Sequence, residues 1–224
     1  MGTKFSTRIW VSVVGIASIF FGSKGYADTV ISVADFGLKP DTRENAVAYV
    51  QKAIEACRGK EPVTLVFPEG RYDFWPQYAH EKNYYETNTY DVFPKRLAML
   101  FEGFHNITVD GNGSQFVMHD RIQPITVENC DGVTLKNFSI DWDIPLTAQA
   151  RVIKVGSDFF EIEINVLESP YIIEDGKLVF VGEGWKSALG SMIEFESDTH
   201  FVVPGTGDLV LGRNWRDYTA VSPR

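Results

Sequence analysis

Residues 105–116, HNITVDGNGSQF, and residues 130–140, CDGVTLKNFSI, decide the fold. At an offset of 26 residues, Asn106-Ile107-Thr108-Val109 sits over Gly132-Val133-Thr134-Leu135. Glu102 falls over Glu128 in the same alignment, and the match fades after Val109. Short apolar runs recur around these copies: Leu97 to Glu102, Ile107 to Val109, Phe116 to Met118, Ile125 to Val127, Val133 to Leu135 and Phe138 to Ile140. Turn residues separate them at Asn106, Asp110-Gly111, Asn112-Gly113, Asn129 and Asp131-Gly132, and no helical pattern intervenes. One coil of this size cannot bury its own apolar face, so the pattern predicts coils that stack as a β-solenoid.

Working outward, the segment before the coils carries one helix. Val30 to Phe36 reads as a strand, and Asp41 with Glu44 matches a capping box. Ala46, Val50, Ala53, Ile54 and Cys57 then recur at helical spacing, and Gly59 is a natural stop. An open solenoid end exposes its core, and this amphipathic helix, read as Asp41 to Cys57, is placed to cover it. Val63 to Phe67 is a second apolar strand, followed by the turn Pro68-Glu69-Gly70 and an extended Tyr72 to Phe74. Trp75 to Lys95 has no sustained period and reads as a long surface excursion. Its aromatic residues Trp75, Tyr78, Tyr84, Tyr85 and Tyr90 suit either stacking on sugar rings or pinning the loop to the body.

After Pro145 the pattern changes. Phe160, Ile162, Ile164 and Val166 alternate with polar residues, and Gly156-Ser157-Asp158 lies between two longer runs. That is an antiparallel hairpin with one wet face. The chain therefore divides into 28–145, the cap and first coils, and 146–224, an antiparallel module.

The first 27 residues read as an export signal. Lys4 and Arg8 precede an apolar run from Ile9 to Phe21, and Gly25-Tyr26-Ala27 suits cleavage before Asp28. The run is shorter than the roughly 20 residues of a membrane span. Removing it leaves 197 residues, enough for one domain with a real core. The signal carries Lys4, Arg8 and Lys24 and no acid, so its loss takes the formal net charge from −9 to −12. Such a surface argues against nucleic acid and against anionic membranes as partners. The two cysteines, Cys57 and Cys130, make no disulfide framework and read as small buried residues. His80, His105, His119 and His200 are scattered and read as surface or turn positions, with no zinc spacing among them. No metal and no other cofactor is expected.

Two stretches carry a resemblance. VADFGLKPDTRENAVAYVQKAIEAC followed by TLVFPEGRYDF is similar to the entry of the pectin-lyase-like superfamily. RLAMLFEGFHNITVDGNGSQFVMHDRIQPITVENCDGVTLKNFSIDWDIPLTAQARV, and FSIDWDIP above all, resembles the exported α-1,3-galactosidases of glycoside hydrolase family 110. The fold this implies is all-β: a right-handed parallel β-helix with a capping α-helix, then an inserted antiparallel β-barrel-like module. The activity it implies is release of terminal α-1,3-linked galactose from galactose-terminated glycans, such as blood group B antigen, by an inverting route in the periplasm or outside the cell. That chemistry needs two carboxyl groups held wide enough apart to admit water. Family members are longer, and their acidic catalytic residues are expected in later coils, beyond residue 224. No adjacent Asp-Asp pair occurs in this sequence, and the resemblance places no catalytic residue on any position here.

The acidic cluster with the most suggestive pattern is Asp141-Trp142-Asp143. In a strand the two aspartates share one side and the tryptophan takes the other. Trp142 then suits stacking on a galactose face and Asp141 and Asp143 suit sugar hydroxyls, while the alternative is a turn where the chain leaves the coils. Asp110 and Asp131 precede glycines and read as turn formers. Two other functions stay open: a polysaccharide lyase or galacturonase on the same fold, which the negative charge disfavours, and a non-catalytic carbohydrate-binding solenoid.

Overall fold

A computed structural model describes residues 29–84, 94–190 and 192–204. The expected export signal, Tyr85 and Tyr90 lie outside those residues. The described chain is all-β apart from one α-helix and one turn of 3-10 helix. In order it runs β1 (Thr29–Ser32), α1 (Val47–Cys57), β2 (Val63–Val66), β3 (Arg71–Phe74), β4 (His80–Lys82), β5 (Lys95–Glu102), β6 (His105–Met118), β7 (Gln123–Glu128) and β8 (Asp131–Trp142). The antiparallel part adds β9 (Arg151–Val155), β10 (Phe160–Glu163), β11 (Tyr171–Glu174), β12 (Lys177–Gly182) and β13 (Trp185–Ala188). No helix among the described residues is long and apolar enough to cross a membrane.

The first sheet is parallel throughout. β1 pairs β2, the two halves of β6 pair β2 and β3, and β8 takes the other edge of β6. In the second sheet β5 pairs β7 in parallel and β4 antiparallel. The 26-residue offset is the register of both sheets: Ile107 lies opposite Val133 and Phe101 opposite Val127. Beyond a register shift between Asp110 and Ser114, Phe116 lies opposite Ile140, an offset of 24. The sequence match fades after Val109 because β6 carries two extra residues there. Gly111 is required at that point, since a Cβ on it would stand 2.5 Å from Cβ of Phe138 on the paired strand β8.

Turns stack as the strands do. Gly59, Gly103 and Asn129 all have positive φ and stand at equivalent register positions before β2, β6 and β8. Stacking also sets Glu102 beside Glu128, two like charges in register. Lys82 on β4 answers this by pairing with both carboxylates through Nζ.

All but two of the buried hydrophobic side chains among the described residues lie between Ile31 and Ile122. Phe116 is the hub: its ring centroid is 4.7 Å from that of Phe67, 5.6 Å from Phe74 and 4.7 Å from Phe138. α1 lays the buried Val47, Val50, Ala53, Ile54 and Cys57 over β1, β2 and β5. The expected apolar stripe is thus the one that covers the core. Burial pushes the Cys57 thiol up to about 11, which makes it a packing residue. Cys130 is also a free thiol, half buried, with Sγ accepting from Phe104 N–H at 3.3 Å.

Two local expectations are corrected. The strand ends at Ser32, where Ser32 and Asp35 form a capping box over a 3-10 turn, Val33–Phe36. The box expected at Asp41 and Glu44 does not form, and α1 begins at Val47. Asp41 sits at φ 61°, and its Oδ1 accepts from Arg71 N–H at 2.9 Å. Asn45 does the capping work instead, its Oδ1 accepting from Val47 N–H at 3.1 Å and Trp75 N–H at 3.2 Å. A long-range tie to the β3 region outcompetes the local cap.

β9 and β10 form the expected hairpin, and β11, β12 and β13 a three-stranded meander. Neither sheet closes among the described residues. Among its described residues, the module buries only Leu178 and Val179 of its hydrophobic side chains.

Candidate functional site

β3 opens the site. Strand alternation sends Tyr72 and Phe74 into the core and leaves Arg71 and Asp73 together on the other face. Arg71 grips Asp73 through Nε at 3.0 Å and Nη2 at 2.6 Å. Nη2 of Arg71 also reaches Oδ1 of Asp143, just past β8, at 2.8 Å. His119 follows β6 directly, its side chain only 2% exposed. Nε2 of His119 lies 2.8 Å from Oδ1 of Asp73, and Nδ1 lies 2.7 Å from Oε2 of Glu183 in the β12–β13 turn. Trp75 stacks on the imidazole, centroids 3.8 Å apart and planes 11° from parallel.

The side chain of Asp73 has no solvent exposure. Burial by itself would push this carboxyl up, but hydrogen bonds from Arg71 and His119, and their charges, hold it below the usual carboxylate range. The hydrogen bond to Asp73 likewise holds the Arg71 guanidinium above its ordinary value, against the opposing effect of burial and with help from Asp143. A carboxylate locked in this way is a poor proton donor. The cluster is built to hold charges in place, and it joins β3 and the ends of β6 and β8 to the β12–β13 turn.

The adjoining turn fits closely. Gly184 has φ 73°, and a Cβ on it would stand 2.3 Å from Oδ2 of Asp120. Arg121 lies over the ring of Trp185, 5.9 Å from its centroid.

Of the expected sugar-contact residues, the structure brings only Asp143 into the cluster. Asp141 is exposed, its Oδ1 accepting from Trp142 N–H at 2.8 Å. Trp142 is half buried against the core, and its Nε1–H donates to the Asp120 carbonyl at 3.2 Å. Among the loop aromatics, Tyr78 is exposed at φ 69° and Tyr84 pairs its hydroxyl with Thr126. The surface or turn position expected for His119 is corrected: it is buried between Asp73 and Glu183. Those partners lie 46 and 64 residues away, so no local spacing announces them. The Arg71-x-Asp73 pair on one strand face was the available signal.

With this geometry in view, relatives are informative. The GLAA-B beta-barrel domain I family matches residues 148–223. The chain is 58% identical over 194 residues to alpha-1,3-galactosidase B of Bacteroides thetaiotaomicron, covering 87% of this chain and 31% of that protein. Over the matched residues the chain is similar to proteins named alpha-1,3-galactosidase. Alpha-1,3-galactosidase A of Shewanella woodyi is 36% identical over 75% of this chain and 28% of its own length. Alpha-1,3-galactosidase B of Phocaeicola vulgatus is 36% identical over 90% and 32%. The chain thus spans about a third of the length of these relatives.

Proposed function

We propose that this chain supplies the N-terminal scaffold of an exported glycoside hydrolase that releases terminal α-1,3-linked galactose from galactose-terminated glycans. The observation that carries it is 58% identity across 87% of the chain to a protein named for that activity. The stacked parallel strands support reading 28–145 as the first coils of a right-handed parallel β-helix, with α1 as its cap. The GLAA-B match supports reading 146–224 as a β-barrel module. Residues 1–27 serve as the export signal, and the periplasm or the cell exterior as the working compartment.

Inverting hydrolysis needs a carboxylic acid to protonate the leaving oxygen and a carboxylate to activate water. Asp73 is sealed and neutralised, and Asp143 is held by Arg71, so neither suits those tasks. The role of this region is to position. Asp141 and Asp143, which retain solvent access, are where sugar hydroxyls would meet the scaffold. Trp142, turned to the core, would steady that strand end.

Two assays test the reading. Incubated alone with a Galα1-3Gal disaccharide, the 224-residue chain should release no galactose above a heat-treated control. Grafted in place of the matching 194 residues of the Bacteroides thetaiotaomicron relative, it should preserve galactose release. A folded chimera with no activity, or release by the chain alone, would contradict the scaffold role.

A further inference from the structure

We propose that His119, Asp143 and Glu183 form a site for one divalent cation of the zinc class, fastening the antiparallel module to the parallel coils. Their ligand atoms, one from each residue, lie within 4.8 Å of one another. They come from the ends of β6 and β8 and from the β12–β13 turn, so a cation there would bind three separate parts of the chain at once. The donor set, one imidazole nitrogen and two carboxylate oxygens, matches zinc chemistry, with a water completing the tetrahedron.

The imidazole is prepared for this in two ways. The sealed carboxylate of Asp73 stands at Nε2, the outer partner that metal-bound histidines use to fix the tautomer and turn the other nitrogen to the metal. Trp75, stacked at 3.8 Å, fixes the ring plane. Nδ1, the ring nitrogen that does not face Asp73, lies 2.7 Å from Glu183 Oε2 and so points into the candidate ligand set.

Charge bookkeeping favours more than a proton there. Asp73, Asp143 and Glu183 contribute three negative charges to the cluster, and Arg71 contributes one positive charge. Arg71 occupies Oδ1 of Asp143 and leaves its second oxygen. A proton on Nδ1 answers Glu183 alone, whereas a divalent cation answers Glu183 and Asp143 together and balances the two remaining charges. Asp120 and Arg121, which flank the turn, cancel one another. Ligand oxygens around zinc stand farther apart than a hydrogen bond, so Glu183 must draw back by a few tenths of an ångström. Its side chain is 33% exposed on a turn, and that of Asp143 is 35% exposed, so both can adjust and a cation can enter.

The test is independent of galactosidase activity. Chelator-stripped full chain is titrated with Zn²⁺ by calorimetry and with Co²⁺ by visible absorption. One equivalent should bind, with a Co²⁺ spectrum of low-coordinate type and a raised Tm. Glu183→Gln and Asp143→Asn should each remove the uptake and the Tm shift while keeping the circular dichroism of the wild type. Asp73→Asn should weaken affinity by about 10–100-fold. Absence of uptake would sink the proposal, as would uptake unchanged in Glu183→Gln and Asp143→Asn. Binding at millimolar levels with several equivalents would mean an adventitious ion only, with a proton serving the Nδ1–Glu183 contact.

Discussion

The parallel strands and the antiparallel module differ in what holds them. From Ile31 to Ile122 the chain buries a continuous core, with Phe67, Tyr72, Phe74 and Phe116 in ring contact. From residue 146 onward, Leu178 and Val179 are the only hydrophobic side chains buried among the described residues, while Val155 is 75% and Leu167 86% exposed. Pairing in register lets neighbouring parallel strands share one apolar face. Among the described residues, the hairpin and the meander bury little apolar surface on either face. The contacts that tie the described antiparallel strands to the parallel ones include His119–Glu183, Arg121 over Trp185 and the fit of Gly184 on Asp120.

The most severe way to break the first region is Phe116→Ala. It empties a fully buried site shared by four aromatic neighbours and should cost about 3–5 kcal/mol in urea denaturation. Gly184→Ala attacks the joint. It forces a side chain at φ 73° into the Asp120 carboxylate, for about 1–3 kcal/mol. The expected signature is faster proteolysis between 145 and 190 with the parallel strands intact.

Asp110→Asn is milder. Asp110 accepts from Asn137 Nδ2 and from Asn112 N–H, both at 2.9 Å, and pairs with Lys136 at 3.2 Å. These hold its carboxyl below the ordinary 3.8, the Asn137 bond first. The stabilisation is therefore full above the unfolded value and fades as pH falls through the lower folded one. At neutral pH the loss should be about 0.5–1 kcal/mol, discounted for solvent access, and the acid limb of the stability curve should flatten. Leu167→Ala in the module should change stability by less than about 0.5 kcal/mol.

What could be read from the sequence follows the same division. The parallel strand register was legible because pairing sets turn residues in line, Gly103 with Asn129 and Asn106 with Gly132. The helix stripe was legible because burial imposes its period. The cap at Asp41 was misread because a tie to Arg71, 30 residues on, overrides a local motif. His119 was misread for the same reason: its environment is assembled from β3 and from the distant β12–β13 turn. Of the Asp141-Trp142-Asp143 triplet, strand alternation was legible, but the partner of Asp143, Arg71, lies 72 residues away.

Hydrogen exchange on the intact chain tests the central claim most directly. The account predicts slow, cooperative exchange across 63–66, 97–102 and 107–118, and exchange orders of magnitude faster across 151–163. Equal protection of the two regions would show that the module has a core of its own and would contradict the account.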